Sequence, residues 1–310
     1  MPWKNRRRIF APPTDHPEIS GWTSYPVPVL LEDRVRVFFS PRNKDNQSCV
    51  AYVDLDRNKI DSVIDVSDHP VLGRGALGTF DDCGVQPIQA LHVGNELWLY
   101  YLGWNPAINR LSRNSTGLAI SNDDGQTFRR AFGGPVLDRT KTEPYFSFTP
   151  WIIRTGDLWR IWYATGTGWH MVNDKPEGSF ELRDGVSDDG INWRRPNKRI
   201  LTPTRDDEVM CKPNVVARNG YYHMWFSYRS YLDFRGGAGS YQIGYAFSED
   251  GDNWKRDDAS GGLDKGEGGD WDSDMTCFSS TLEVGDDLLI FFNGNGFGQT
   301  GFGIAEWEDS

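Results

Sequence analysis

Apolar residues along this chain come in short β-rich runs separated by tight polar turns, and the arrangement recurs about every 63 residues. The series opens with PVPVLLEDRVRVFF from Pro26. It continues with PIQALHVGNELWLYY from Pro87, PWIIRTGDLWRIWY from Pro150, PNVVARNGYYHMWF from Pro213 and the weaker SSTLEVGDDLLIFF from Ser279. The anchors are 61, 63, 63 and 66 residues apart. Each copy reads as a first strand, a turn, and a second strand packed with aromatic residues. Self-similarity at that period, built of strands, predicts a radial or stacked β-architecture.

Each unit continues alike. A Gly-rich or polar loop leads to a third strand that ends in an acidic-Gly turn: GLAISNDDGQTF (117–128), DGVSDDGINW (184–193) and IGYAFSEDGDNW (243–254). Asp-Gly supplies the positive φ that a tight hairpin needs. A fourth strand follows in FRRAFGGPVL, WRRPNKRILTP and WKRDDASGGL. Four antiparallel strands per unit make a propeller blade. The last unit stops after GFGIAEWE, its third strand, while the N-terminal WKNRRRIFAPP (3–13) matches a fourth-strand segment. Residues 3–10 are therefore expected to complete the last blade, closing the ring and removing its exposed edges. The predicted fold is all-β: one five-bladed β-propeller domain over residues 1–310, with little helix.

Composition changes this picture only at the margins. Aromatic residues make up 14% of the chain, 13 of them Trp, which suits sheets packed face to face and equally suits stacking on sugars. A net charge of −11 argues against nucleic acid as a partner, because phosphate binding needs basic patches. The cluster Lys4, Arg6, Arg7 and Arg8 reads as solvated strand charge. No apolar run approaches the roughly 20 residues of a membrane span, and MPWKNRRRIF leads into no apolar signal region. The expectation is a soluble, cytoplasmic protein. Cys49, Cys83, Cys211 and Cys277 lack metal-binding spacing and read as buried free thiols.

In a propeller, the connection entering each innermost strand and the exit of each second strand share one face. The SNDDG, SDDG and SEDG turns fall on the other face and read as structural, Asp bonding its own backbone. Chemistry is sought in the first set. Five residues before each anchor stand Gly21, Asp82, Tyr145, Glu208 and Asp274, with Asp81, Glu143, Asp206, Asp207, Asp270 and Asp272 close by. Carboxylates converging on one concave site would split their pKa values, the arrangement used by an acid paired with a base or nucleophile. The alternative is that they cap strand ends or bind Arg from adjacent blades. The second-strand exits add Arg42, Trp104, Asn105, Trp169, His170, Arg229, Tyr231 and Asn293. Together with Tyr145 and Lys212 these are the candidate substrate-binding residues. Aromatic faces beside Asn, Arg and carboxylates suit a pyranose, with its apolar C–H faces and rim of hydroxyls.

The strings GTFDDCGVQP (78–87), EPYFSFTPW (143–151), GTGW (166–169), DDEVMCKPNVV (206–216) with YYHMWFSYRS, and GGDWDSDM (268–275) with FFNGNGFGQTGFG resemble the five-bladed propeller glycoside hydrolases, the group of families 32, 43, 62, 68 and 130. More closely, they are similar to bacterial proteins of that type associated with surface-polysaccharide gene clusters. The resemblance spans nearly the whole chain. The first reading of the residues on that fold is a glycosidase acting on a bacterial glycan, with Asp82, Glu208 and Asp272 or Asp274 as carboxylate actors and Glu143 tuning or binding. Departures are visible: Cys211 stands where families 43 and 32 carry their acid, and blade one offers only Asp15, well upstream of its anchor. Two further readings stay open. One is a phosphorolytic or glycosyl-transferring enzyme using Lys212, Arg42, Arg205 and Arg229. The other is a non-catalytic sugar-binding propeller whose acids orient hydroxyls or hold Ca²⁺. No other cofactor is implied. An acid-rich funnel is expected to favour a neutral or amino sugar, and oligomeric state is left open.

Overall fold

The computed structural model describes residues 2–14, 16–107, 110–235 and 238–308, so Asp15 lies outside the described residues. Its strands form five antiparallel sheets, one for each repeat. The N-terminal strand β1 (Trp3–Phe10) is followed by blade 1, made of β2 (Ser24–Leu30), β3 (Arg34–Ser40), β4 (Ala51–Asp56) and β5 (Lys59–Val66). Blade 2 holds β6 (Gly84–Val93), β7 (Glu96–Ala107), β8 (Arg110–Ser121) and β9 (Arg129–Arg130). Blade 3 holds β10 (Ser147–Thr155), β11 (Leu158–Val172) and β12 (Lys175–Ser187). Blade 4 holds β13 (Glu208–Arg218), β14 (Tyr221–Ser230), β15 (Gln242–Ser248) and β16 (Lys255–Arg256). Blade 5 holds β17 (Cys277–Val284), β18 (Asp287–Asn293) and β19 (Phe302–Trp307), with β1 as its fourth strand. Helix is confined to two four-residue segments, α1 (Asp258–Gly261) and α2 (Asn295–Gly298). Neither they nor any other helix among the described residues is long and apolar enough to cross a membrane.

The ring closes as the sequence predicts. β1 runs antiparallel to β19, with Trp3 opposite Trp307 and Phe10 opposite Phe302. The five innermost strands contact one another in the order β2, β6, β10, β13, β17 and back to β2. Their side chains tie each blade to the next at about one repeat of sequence separation. Gln89 donates to the Ile152 carbonyl and accepts from its N–H at 2.8 and 2.7 Å, Trp151 Nε1 donates to Val215 O at 2.8 Å, and Thr281 Oγ1 donates to Asn214 Oδ1 at 2.8 Å. Such buried polar ties fix the angle between neighbouring sheets, because each unmade bond would leave a desolvated group without a partner.

Each anchor marks a β-bulge. In all five innermost strands one extra residue interrupts the register at or beside it. In four blades the residue just before the anchor (Tyr25, Thr149, Lys212 and Phe278) holds a positive φ of 48–58°. A bulge bends the strand and sharpens its twist, turning the strand ends toward the mouth of the ring. The acidic turns on the far face are self-contained. Asp189 accepts from the N–H groups of Ile191 and Asn192, both at 2.8 Å, and Asp250 does the same for Asp252 and Asn253. Those bonds hold both carboxyls well below the usual range.

Two expectations differ from what is found. The outermost strands predicted for blades 2 to 4 are two residues long or, in blade 3, two isolated bridges, Val186–Arg194 and Arg183–Arg199. Gly133, Gly134 and Pro135 in one copy and Pro196 in another interrupt the ladder. The loops expected after the second strands of blades 2 and 3 are instead strand. β11 and β12 form one long hairpin joined by Asn173 and Asp174, both at positive φ, as a two-residue turn of that hand requires.

Candidate functional site

Four of the acids near the incoming loops are buried, and each meets an arginine from the outermost segment of its own blade. Arg130 Nε donates to Asp81 at 2.8 Å, Arg195 Nη1 to Glu143 at 2.8 Å, Arg256 Nη1 to Glu208 at 2.5 Å and Arg6 Nε to Asp272 at 2.5 Å. Every one of these guanidinium groups also lies 5.1–5.9 Å from the ring that ends the second-strand aromatic pair: Tyr101, Tyr163, Phe226 and Phe292. Tyr101 and Tyr163 turn their hydroxyls onto Asp81 and Glu143 at 3.0 and 2.6 Å. Burial pushes both phenols up in pKa, so they remain donors. Burial likewise pushes the Asp272 carboxyl up while Arg6 pulls it back. Blade 1 has no arginine in its outermost strand and no such clamp among the described residues.

These pairs place the expected carboxylates away from one another. Glu143, Glu208 and Asp272 sit inside their own blades as partners of arginine. Asp274 is exposed, its carboxylate accepting from Ser273 Oγ at 3.5 Å. Asp82 accepts from Gly78 N at 2.9 Å and lines a separate outer groove with Glu18, Cys49 and Arg74. The structure does not bring the five together.

It brings together a different set. A cavity of about 460 Å³ opens at the mouth of the ring, between the innermost strands of blades 1 to 3, the second strand and following loop of blade 4, and α2. Blade 1 contributes Trp22, Tyr25, Arg42 and Asn46; blade 2 gives Gln86, Trp104, Ser112 and Asn114. Blade 3 gives Phe146, Phe148, Trp169, Glu177 and Phe180, blade 4 gives Arg229, Phe234, Arg235 and Tyr241, and α2 gives Phe297. The long hairpins of blades 2 and 3 raise the walls. Trp104 is fixed by its Nε1 donating to Ser48 Oγ at 2.9 Å, and Trp169 packs edge-on against Phe146. Arg229 is buried, donating from Nε to Tyr241 OH at 3.1 Å and from Nη1 to Ser230 O at 3.0 Å. Its guanidinium lies 3.6 Å from the Phe234 ring centre. Glu177 is the one carboxylate in the lining among the described residues, and Arg235 holds it at 3.1 Å.

Of the ten expected binding residues, Arg42, Trp104, Trp169 and Arg229 line this cavity. Tyr145 lines an adjoining pocket with Arg113 and Arg139. His170 stacks on Tyr231, ring centres 4.3 Å apart, joining the blade 3 hairpin to blade 4. Asn105 bonds the Thr79 carbonyl, and Asn293 is buried between the Tyr25 N–H and the Thr23 carbonyl. Lys212 is wholly buried beneath the mouth. Among residues not singled out from sequence, Tyr25 and Gln86 directly precede anchors, and that position was the available signal. Glu177, Phe234 and Tyr241 carried none, because they depend on how far the hairpins and the blade 4 loop extend.

Among the described residues, no group of three His, Cys, Asp or Glu side chains is placed to hold a metal ion. The cysteines are free, but only Cys211 and Cys277 are buried, where burial pushes the Cys211 thiol up to about 11; Cys49 and Cys83 are partly exposed, unlike the expectation for them.

The fold is that of the five-bladed propeller glycoside hydrolases. A structure described as a glycoside hydrolase superposes with a TM-score of 0.75 at 16% identity, covering 100% of this chain and 92% of its own. A thermostable family-43 glycoside hydrolase gives 0.64 at 14% identity, covering 96% and 91%. A Bombyx mori family-32 β-fructofuranosidase in complex with sucrose gives 0.64 at 18%, covering 97% of this chain and 61% of its own. No family model matches the chain. Within that fold, the chain belongs to the family of the uncharacterised protein Rv1502 of Mycobacterium tuberculosis strain H37Rv, to which it is 34% identical over the full length of both; MT1551 of strain CDC 1551 is equally similar.

Proposed function

We propose that this protein binds a saccharide in the central cavity. The observation that carries the reading is the composition of that one wall: indole and phenyl faces from at least three blades, interleaved with Gln86, Ser112, Asn114 and Arg229. Aromatic faces stack on the C–H faces of a sugar ring, and a few fixed polar groups read its hydroxyls. The cavity lies within the range of small-molecule sites, about 300–1,000 Å³. The sucrose held by a neighbour of the same fold adds support.

Hydrolysis is the second reading, favoured by the fold and by Glu177 in the wall. Hydrolysis by a carboxylate pair needs two such groups roughly 5–10 Å apart across the bond. Among the described residues Glu177 is the single carboxylate of the lining, and it is paired with Arg235, so the binding reading is the one this geometry supports better.

Tryptophan fluorescence titration with a glycan panel, run beside release of reducing ends, separates the two. Binding without turnover, weakened by Trp104→Ala and Trp169→Ala, is the expected result. Turnover abolished by Glu177→Gln would transfer the assignment to hydrolysis. Absence of any glycan binding would end both.

A further inference from the structure

The cavity is positively charged in a protein whose net charge is −11. Among the described residues, Arg42, Arg229 and Arg235 line it against the single carboxylate of Glu177, which Arg235 already occupies. Arg42 and Arg229 have no carboxylate within ion-pair distance among the described residues. The Arg42 guanidinium donates to Asn46 Oδ1, a neutral acceptor, at 2.8 Å and faces the Trp22 ring at 6.0 Å. Arg229 is 94% buried, and its hydrogen bonds among the described residues go to neutral groups, the Tyr241 hydroxyl and the Ser230 carbonyl. A guanidinium cannot shed its charge, and an unpaired buried charge is costly. The tyrosines around the two arginines do not neutralise them, since burial holds Tyr25 and Tyr241 protonated. Outward, Arg113 and Arg139 line the pocket that shares the Phe146 and Trp169 walls, Arg139 lying 3.6 Å from Asp138.

Resting on the saccharide reading above, we propose that the ligand is an anionic saccharide, whose carboxylate or phosphate group is received by Arg229 together with Arg42 while its ring lies on the aromatic walls. The two arginines come from blades 1 and 4, which are not neighbours in the ring, so one anion would bring the charge that neither blade supplies. The expectation of a neutral or amino sugar rested on an acid-rich funnel; with those acids tied up inside the blades, the sign of the site is reversed.

The test is a glycan microarray carrying neutral, uronic-acid and phosphorylated saccharides, followed by calorimetric titration of retained glycans at low and high salt. Retention confined to anionic glycans, affinity falling with salt, and a loss of about ten- to a hundredfold in Arg229→Gln are expected. Arg42→Gln provides a second variant, at a more open position, should Arg229→Gln fail to fold. Uronic-acid spots against phosphorylated spots decide which anion is recognised. Retention of neutral glycans, with affinity unchanged in Arg42→Gln, overturns the anionic assignment and leaves the saccharide reading standing. Retention of no glycan overturns both.

Discussion

At the scale of single residues, the acids of the incoming loops act through their arginines. Glu208 and Arg256 are both largely buried, with a 2.5 Å bond between them and a second arm of Arg256 reaching Asp258 at 2.8 Å. Removing one partner of such a pair strands the other charge out of water, at a cost of about 3–5 kcal/mol, whereas replacing both by apolar groups costs little or even stabilises. Glu208→Gln should therefore lower the unfolding free energy by a few kcal/mol, and the double substitution Glu208→Met with Arg256→Met should recover much of it. Denaturant unfolding of the four proteins in a double-mutant cycle measures the coupling; additive effects would contradict the clamp. The acids were visible in the sequence but their partners were not. Arg130, Arg195 and Arg256 lie 48–52 residues downstream of the carboxylates they bind. Counting back from an anchor carries no information about such pairs. The signal that does carry it is the aromatic residue with Arg two places on, in Phe128–Arg130, Trp193–Arg195 and Trp254–Arg256, copied in blades 2, 3 and 4.

At the scale of elements, what sequence made legible was whatever a period of two and a turn motif could report. Hairpins, anchors and the closing strand fall where the repeat puts them. What escaped was extension: Gly166, Gly168 and Gly178 look like loop residues, yet they are packed strand positions where added side chains would press on Phe146, Ser179 or the chain nearby. The cavity walls depend on that hairpin, so the site was less legible than the fold. The β1 seam offers a direct test. Gly303 lies opposite Arg8, and a Cβ there would collide with the Arg7 carbonyl and the Trp271 ring. Gly303→Ala should thus loosen β1 from β19 and lower Tm by several degrees, an effect of about 1–3 kcal/mol. Deleting residues 2–10 should go further, baring the β19 edge and leaving buried Asp272 without Arg6. Lost thermal stability and self-association in size-exclusion chromatography are expected; an unchanged Tm in the truncated protein would deny the strand its closing role.

At the scale of the whole molecule, the ring concentrates buried polar ties between its innermost strands. Lys212 is the extreme case. Its Nζ donates to Ser279 O and Ser280 Oγ, both at 3.1 Å, and lies 4.8 Å from the Trp151 ring centre, so one side chain from blade 4 touches blades 3 and 5. It pairs with no carboxylate among the described residues, and desolvation pulls its pKa down to about 7. In the unfolded chain the amine titrates near its ordinary value of about 10.4. Below about 7 both states carry the proton and the fold bears the full cost of a buried charge. Between about 7 and 10.4 the unfolded chain binds the extra proton, so stability rises with pH, with a slope approaching ~1.4 kcal/mol per pH unit. Lys212→Met keeps the bulk and removes the charge. It should be more stable than wild type at pH 6, with the gap narrowing steadily toward pH 10. Urea midpoints measured across that range decide the matter, and parallel curves for the two proteins would show that Lys212 is not the buried charge that the ring must accommodate.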